Sequence, residues 1–411
     1  METLPPPERT EFFLNRLLDY ILRTHISYDK AFHEISRRYC VPKWLYNTYY
    51  KLGYYVVLYY YGLQWLAAQH GYGVKKGAAI AFFRDIGYSV RKLVRILNRE
   101  TKDLGIIHRL SIRYSYPEYI VRDLLKHMDP AELEKYLKAL NEKKYWLRVN
   151  TLKTTIDRVI KCLRKNNIGF DIHHILPYMI RIRKPKWFKP SNIECIVKGD
   201  AVPQDLASSY VVEALHRLPG KYVLDACSAP GLKISHLYML DNNIKCIACD
   251  ISWNRSLVLK DILRQHNIPI QSINILNCDS TEISFNHVFE RALVDAPCSG
   301  SGSVPGDPAV KIAIRRRGKL EYYSSLQKRL LENILQYSRY VVYSVCSIHP
   351  LEGEEVIQYI VDQGLALPID IKLPLRKAYS GYDVSGKTFR TYPHIDGCQG
   401  FYIAVLEASR K

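Results

Sequence analysis

The 411-residue chain contains no G-x-G-x-x-G stretch, which excludes the glycine cradle that lets a dinucleotide pyrophosphate approach a helix N-terminus. It has one C-x-x-C, Cys246 and Cys249, with no second pair and no histidines at zinc spacing. The flanks of that pair read as a strand, where positions three apart face opposite ways, so no metal site is expected. The other cysteines are scattered singly, which argues against a disulfide framework. The opening METLPPPERTEFFLNRLL is proline-rich and charged where an export signal needs an apolar core, so a cytoplasmic protein is expected. Long hydrophobic runs are also scarce. LGYYVVLYYYGLQWLAA (Leu52 to Ala68) approaches spanning length, but five tyrosines and Gln64 lie along it. Tyrosine favours a membrane interface over its centre, so we read a buried helix and no membrane partner. No tandem repeat or low-complexity tract is visible.

Acidic residues are scarce in one half only. Residues 1–200 carry 36 basic against 19 acidic side chains, net +17, while residues 201–411 carry 23 against 21, net +2. A basic half joined to a near-neutral half suggests one part that holds a polyanion and another that does chemistry; a merely solvated surface is the plainer reading.

Three textures follow one another. Residues 1–105 read as a helical domain; apolar residues recur at helical spacing at Phe13, Leu14, Leu17, Leu18 and Ile21. Residues 106–198 read as an α+β module. PEYIVRDLLKHM opens a helix, YWLRVNTLK reads as a strand, and TIDRVIKCLRKNNIG reads as a helix closed by Gly169. YMIRIRKPKW reads as a strand with Arg181 and Arg183 on one face. Residues 199–411 alternate strand and helix: KYVLDAC, KCIACDI, INILNCD, RALVDAP and YVVYSV are apolar runs with helical segments between most of them. GFYIAVLEA near the C-terminus makes a further strand. That alternation predicts an α/β fold, a mostly parallel Rossmann-like sheet with helices on both faces.

Ligands of such sheets sit beyond the carboxyl ends of the strands. Those ends carry Asp225, Asp250, Asp279, Asp295 and Cys346. Each acid alone also reads as a cap or turn residue; together they outline a cofactor site. The loop after the first strand, DACSAPGLK, holds one glycine and an acid that repels phosphate, which suits the cationic nucleotide S-adenosylmethionine. Asp250 is placed to accept from ribose hydroxyls, and Asp279 to meet the adenine edge.

Two cysteines follow core strands, in DAPCSGSG and SVCSIHP. Either alone reads equally as a small buried hydrophobe. Beside a methyl donor they fit methylation of a pyrimidine at carbon 5, itself a poor nucleophile. A thiolate adding to carbon 6 makes an enamine-like adduct whose carbon 5 attacks the sulfonium methyl; a base then removes the carbon-5 proton and the thiol leaves. A free thiol titrates near about 8.5, so Lys233 or the helix following Ser347 would have to favour the thiolate. Asp295 can hydrogen-bond the amino group or ring nitrogen of cytosine. Strand order does not say which cysteine attacks.

The pieces GDAVPQDLASSYVVEAL, DACSAPGLK, ACDISWNR, DAPCSGSG and YSVCSIHPLEGEE, within 199–355, closely resemble the Sun-family RNA (cytosine-5) methyltransferases. Upstream, PEYIVRDLL and LRVNTLK resemble that family's RNA-binding module, and the helical start resembles NusB. The resemblance implies that Cys346 is the nucleophile and that Cys298 assists product release. It implies S-adenosylmethionine contacts from Cys227, Ser228, Ala229, Pro230, Gly231, Leu232, Lys233, Asp250, Arg255, Asp279 and Asp295, and an rRNA or tRNA partner. The chain departs from the family pattern at Leu232, where glycine is usual, at Val345, where threonine is usual, and at Gly353, where asparagine is usual. Arg315, Arg316 and Arg317 are candidate phosphate contacts. Two rivals remain: a base N-methyltransferase, which needs no cysteine, and a non-catalytic RNA-binding assembly factor that keeps the fold. Oligomeric state is not legible.

Overall fold

The structure is a computed structural model, described over residues 7–409. It comprises two compact units: one runs from the N-terminus to Glu142 and includes Ser299–Lys319, and the other is formed by Lys143–Cys298 with Leu320 onward. The sequence texture had suggested three parts with breaks at 105 and 198.

The first unit is helical. Its opening helix, Pro7–Thr24, carries Glu8 in its first turn and Arg23 in its last, matching the helix dipole. Phe13, Leu14, Leu17, Leu18 and Ile21 are all buried along one stripe. The tyrosine-rich run forms two helices, Lys43–Leu58 and Tyr60–Gln69, separated at Tyr59. No helix of the described residues is long and apolar enough to cross a membrane. Two further helices, Lys76–Asp85 and Val90–Glu100, follow. Helices Tyr28–Arg38, Ile106–Tyr114, Glu118–Leu124 and Pro130–Ala139 also belong to this unit, as does the short helix Val310–Ala313 of the later segment.

The tyrosines have a purpose within this unit. Tyr54 donates to the Pro305 carbonyl at 3.1 Å, Tyr61 to that of Lys311 at 3.2 Å and Tyr119 to that of Ile314 at 2.7 Å. Amphipathic rings let apolar helices accept an irregular segment without orphaning its carbonyls. Asp307 accepts from the Tyr28 N–H at 2.9 Å, capping the helix Tyr28–Arg38, whose own Ser27 supplies no side-chain cap. The fully buried Lys311 ammonium donates to the Leu58 carbonyl at 3.1 Å, to Tyr114 O at 2.6 Å and to Asn141 Oδ1 at 2.6 Å. Leu58 and Tyr114 end their helices, so the cation sits at two negative helix poles. Burial pushes its pKa well down, and these oxygens together with the Tyr116 ring face, 4.4 Å away, act in the opposite sense. A segment from far along the chain is thereby fixed at both ends of its charge.

The second unit holds two sheets. Strands β1 (Tyr145–Val149), β2 (Gly169–Ile172), β3 (Met179–Lys184) and β4 (Ala201–Pro203) form an antiparallel sheet ordered β2-β3-β1-β4. The helix Ile156–Lys165 packs Val159 and Leu163 onto it with Ile180 and Leu147. This helix ends before the sequence reading placed it: Asn167, not Gly169, takes the left-handed turn, and Gly169 begins β2. A second correction concerns cysteine. Cys162, on that helix, and Cys195, on the short helix Glu194–Val197, form a disulfide across 33 residues. Single cysteines that far apart carry no local signal of pairing; only the shared core of the module brings them together.

The larger sheet contains β5 (Tyr222–Asp225), β6 (Lys245–Asp250), β7 (Ile273–Asn277), β8 (Phe289–Asp295) and β9 (Ser338–Val345), all parallel, followed by β10 (Ala366–Pro368), β11 (Arg376–Lys377), β12 (Phe389–Arg390) and β13 (Tyr402–Ala408). The order is β11-β12-β13-β9-β8-β5-β6-β7, with β13 antiparallel to β9 and β10 beside β13. Apolar side chains on the two faces form separate cores. One includes Val223, Cys246 and Val342; the other includes Leu224, Cys249 and Val341. Cys246 and Cys249 thus point to opposite faces, as strand geometry requires. The chain winds outward through β5, β6 and β7, then returns to start β8 on the other side of β5. The β5/β8 boundary is the topological switch point, where a Rossmann-like sheet opens its crevice.

Candidate active site

Asp225 and Asp295 end the two strands flanking the switch point, and Asp250 ends β6. Asp225 is sealed beneath the following loop: it is 1% exposed, and neither oxygen accepts a hydrogen bond of normal geometry, although the Cys227 N–H lies near. Burial first, and the charge of Asp295 second, raise its pKa to about 8.

Asp250 is fixed by the loop. Its Oδ2 accepts from the Ala229 N–H at 3.1 Å and its Oδ1 from the Ser252 N–H at 2.9 Å, with Arg255 Nη1 3.5 Å from Oδ2. Arg255 also donates to the Ala229 carbonyl. The Ser228 N–H bonds the Cys249 carbonyl at 2.8 Å, and the Gly231 N–H bonds that of Ser228 at 2.7 Å. The loop therefore spends the N–H groups of Ser228, Ala229 and Gly231 internally, where a phosphate cradle would aim them at its ligand. Gly231 has φ +100°, and an added Cβ would lie 3.0 Å from Leu259; only glycine makes this turn. Leu232 then starts the helix Leu232–Leu240. Acidic strand ends and occupied loop amides fit a cationic, phosphate-free nucleotide.

Asp279 lies on an exposed turn after β7, where its Oδ1 accepts from Thr281 N at 2.9 Å and Thr281 Oγ1 at 2.7 Å. Cys227 is half-buried; desolvation first, then the charges of Asp225, Asp295 and Asp250, push its thiol pKa well up and keep it neutral.

Asp295 bridges the two halves of the site. Its Oδ2 accepts from Lys233 Nζ at 2.5 Å and its Oδ1 from Ser344 Oγ at 2.7 Å. Burial pulls the Lys233 pKa down, but the charge and hydrogen bond of Asp295, then Cys346 and Asp225, outweigh it and leave a net rise. The ammonium stays charged and interacts electrostatically with the Cys346 sulfur.

Cys346 follows β9 and Cys298 follows β8, adjacent parallel strands. Their sulfurs are 3.2 Å apart, both half-buried. No helix starts directly after Ser347: a single 3-10 turn, Pro350–Glu352, intervenes, and the helix Glu354–Asp362 opens with two glutamates. Lys233, rather than a helix pole, is the cation near the sulfur.

Sequence reasoning missed the support of this turn. The fully buried Arg390 donates to the Ser347 carbonyl at 2.8 Å and pairs with the fully buried Glu354 through Nε–Oε1 at 2.7 Å and Nη2–Oε2 at 2.6 Å. It lies over the Tyr379 ring at 4.1 Å. Gly353 accommodates it: an added Cβ would meet Arg390 Nη2 at 2.6 Å. Val345, the other departure beside the nucleophile candidate, is wholly buried in the core. No local motif marks Arg390, because its partners lie 36 to 43 residues away.

Of the three consecutive arginines, which belong to the helical unit, Arg317 is paired with Asp123 at 2.7 Å, while Arg315 and Arg316 are exposed.

The family described as 16S rRNA methyltransferase RsmB/F matches residues 212–407, and its ferredoxin-like domain matches 116–188. The tRNA (cytosine(49)-C(5))-methyltransferase of Pyrococcus abyssi is 30% identical over 225 residues, covering 52% of this chain and 71% of that protein. Ribosomal RNA small subunit methyltransferase B of Photorhabdus laumondii is 29% identical over 310 residues, covering 72% and 67%. The crystal structure of PH0851 shares the fold over 98% of this chain and 99% of its own, with TM-score 0.78 and 22% identity.

Proposed function

Because the chain belongs to the RsmB/F family of RNA cytosine-C5 methyltransferases, we propose that it methylates carbon 5 of a cytosine in rRNA or tRNA through a covalent bond between Cys346 and carbon 6. The observation that carries this reading is the pair of thiols 3.2 Å apart beside an Asp295–Lys233 ion pair at the sheet's switch point.

S-adenosylmethionine, held over Cys227–Lys233 with Asp250, Arg255, Asp279 and Asp295, supplies an electrophilic methyl group. The protein does the rest. Lys233 favours the Cys346 thiolate by charge. That thiolate adds to carbon 6, and the electron pair displaced from the 5,6 double bond makes carbon 5 nucleophilic. Asp295 keeps a lone pair on each oxygen after bonding Lys233 and Ser344, enough to accept from the cytosine amino group and orient the ring. After transfer the Cys298 sulfur, as thiolate, takes the carbon-5 proton, the C–H electron pair re-forms the 5,6 double bond, and the carbon 6–sulfur bond breaks to return Cys346 as thiolate. A paired cytosine has to leave its stack, since attack comes from above the ring. The exposed Arg91, Lys92 and Arg95 of the helical unit, and Arg181 and Arg183 of β3, supply phosphate contacts.

The test is tritium transfer from labelled S-adenosylmethionine to unmodified transcripts of small-subunit rRNA and of tRNA. Wild type should label one of them, Cys346→Ala should lose transfer, and Cys298→Ala should accumulate a denaturant-stable RNA–protein adduct. Methyl transfer that survives Cys346→Ala would transfer the chain to the N-methyltransferase reading. RNA binding with no transfer by wild type would mark an assembly factor.

A further inference from the structure

The two thiol-bearing loops are joined by more than their strands. Gln327, wholly buried on the helix Gly318–Ile334, donates from Nε2 to the Pro297 carbonyl at 2.9 Å and to Glu352 Oε1 at 3.3 Å. Pro297 directly precedes Cys298. Glu352, also wholly buried, accepts at Oε2 from Ser347 Oγ at 2.6 Å, and Ser347 directly follows Cys346. A continuous chain therefore runs from one cysteine's neighbour to the other's: Pro297 carbonyl, Gln327 amide, Glu352 carboxylate, Ser347 hydroxyl. Both neighbours of the Gln327 nitrogen are acceptors, so the amide has one workable orientation. Its Oε1 is left with no partner in the buried interior, a cost tolerated for the two donated bonds.

We propose that Gln327 and Glu352 are positioning residues that hold the two thiols in register, so that release of the methylated base depends on this hydrogen-bond chain. The inference rests on the reading that Cys346 attacks and Cys298 assists release. Arg390 holds the Cys346 turn independently through the Ser347 carbonyl, whereas Gln327 bonds the Pro297 carbonyl directly. Losing Gln327 loosens the Cys298 side and spares the attack. A displacement of about 1 Å at a reacting group costs up to about a hundredfold in rate, and a loosened loop that still samples its proper place costs less, about tenfold.

Gln327→Met keeps the volume and removes both donors. With the full-length protein and whichever transcript wild type methylates, turnover should fall about tenfold at unchanged KM for RNA. Denaturant-stable adduct should rise to resemble Cys298→Ala, and covalent capture on 5-azacytidine-substituted transcript should persist. Gln327→Glu adds a readout that a purely structural role would not move. Its carboxyl donates one hydrogen bond only when protonated, so its turnover relative to wild type should recover as pH falls from 8 to 6. If Cys298→Ala accumulates adduct while Gln327→Met shows slow turnover without adduct, and Gln327→Glu tracks wild type at every pH, the positioning role is wrong. If wild type methylates and no adduct forms in Cys298→Ala, the covalent reading itself fails and takes this inference with it.

Discussion

Removing the Cys162–Cys195 disulfide should weaken the module bearing the β1–β4 sheet, and the size of the loss follows from the length of chain it closes. A cross-link over 33 residues removes about 12.5 cal/mol/K of unfolded-state entropy, or about 3.7 kcal/mol at 25 °C. The cysteines lie within the module's apolar core with Val159, Leu163 and Ile196, so Cys162→Ser also places a hydroxyl there and adds to the loss. Cys162→Ala avoids that term and is the better variant. For a unit of this size the midpoint should drop by about 7–15 °C. The assay is thermal unfolding of the full-length protein with and without dithiothreitol. Cys162→Ala, Cys195→Ala and reduced wild type should melt together, and the reductant should not affect either variant. Midpoints within about 2 °C of oxidised wild type would refute the entropic argument, meaning that the unfolded chain is already compact around this loop or that the native fold does not need the link.

Three further outcomes are expected. Asp225 keeps its proton in the folded state up to about pH 8, against an ordinary value of 3.8, so the stability it contributes is full below about pH 4 and declines as pH rises toward 8. Asp225→Asn should flatten that decline, gaining up to about 5 kcal/mol over wild type at pH 8; urea titrations at pH 5 and pH 8 showing equal differences would contradict it. Arg390→Met strands the buried Glu354 carboxylate and should cost about 3–5 kcal/mol, while the double variant with Glu354→Met should regain much of the stability but not the methylation rate, because the Ser347 carbonyl stays unsupported. Lys311→Met leaves the buried Leu58 carbonyl without its ammonium donor and the Tyr114 carbonyl with the Asn141 amide alone, and should cost at least about 2 kcal/mol by thermal melting.

The parallel strands β5 to β9 were legible because each is an apolar run bounded by turn residues and ended by an acid or a cysteine. The candidate site was read from the same pattern: its groups sit at strand ends, which topology gathers on one edge. What escaped notice was held by long-range partners. Arg390 and Gln327 look like ordinary polar residues until the fold brings Ser347 and Pro297 against them, and Cys162 finds Cys195 only through a shared core. Strands β10, β11 and β12 are two or three residues long, too short for any alternation to register. The tyrosine run was read as one buried helix and forms two, separated at Tyr59. Its hydroxyls meant nothing until the carbonyls of Pro305, Lys311 and Ile314 stood opposite them.

That arrangement bears on how the nascent protein matures. The helical unit is complete only when Ser299–Lys319 arrives, so translation must proceed 177 codons past Glu142 before Lys311 and Asp307 can seat. At about 5–20 residues per second this is roughly 9–35 s, during which the early helices wait on the ribosome with their tyrosine hydroxyls and terminal carbonyls still wet. A chaperone that shields apolar helices would find its client in that interval, and ribosomes stalled before codon 320 should yield an N-terminal fragment far more sensitive to protease than the same residues in the finished protein.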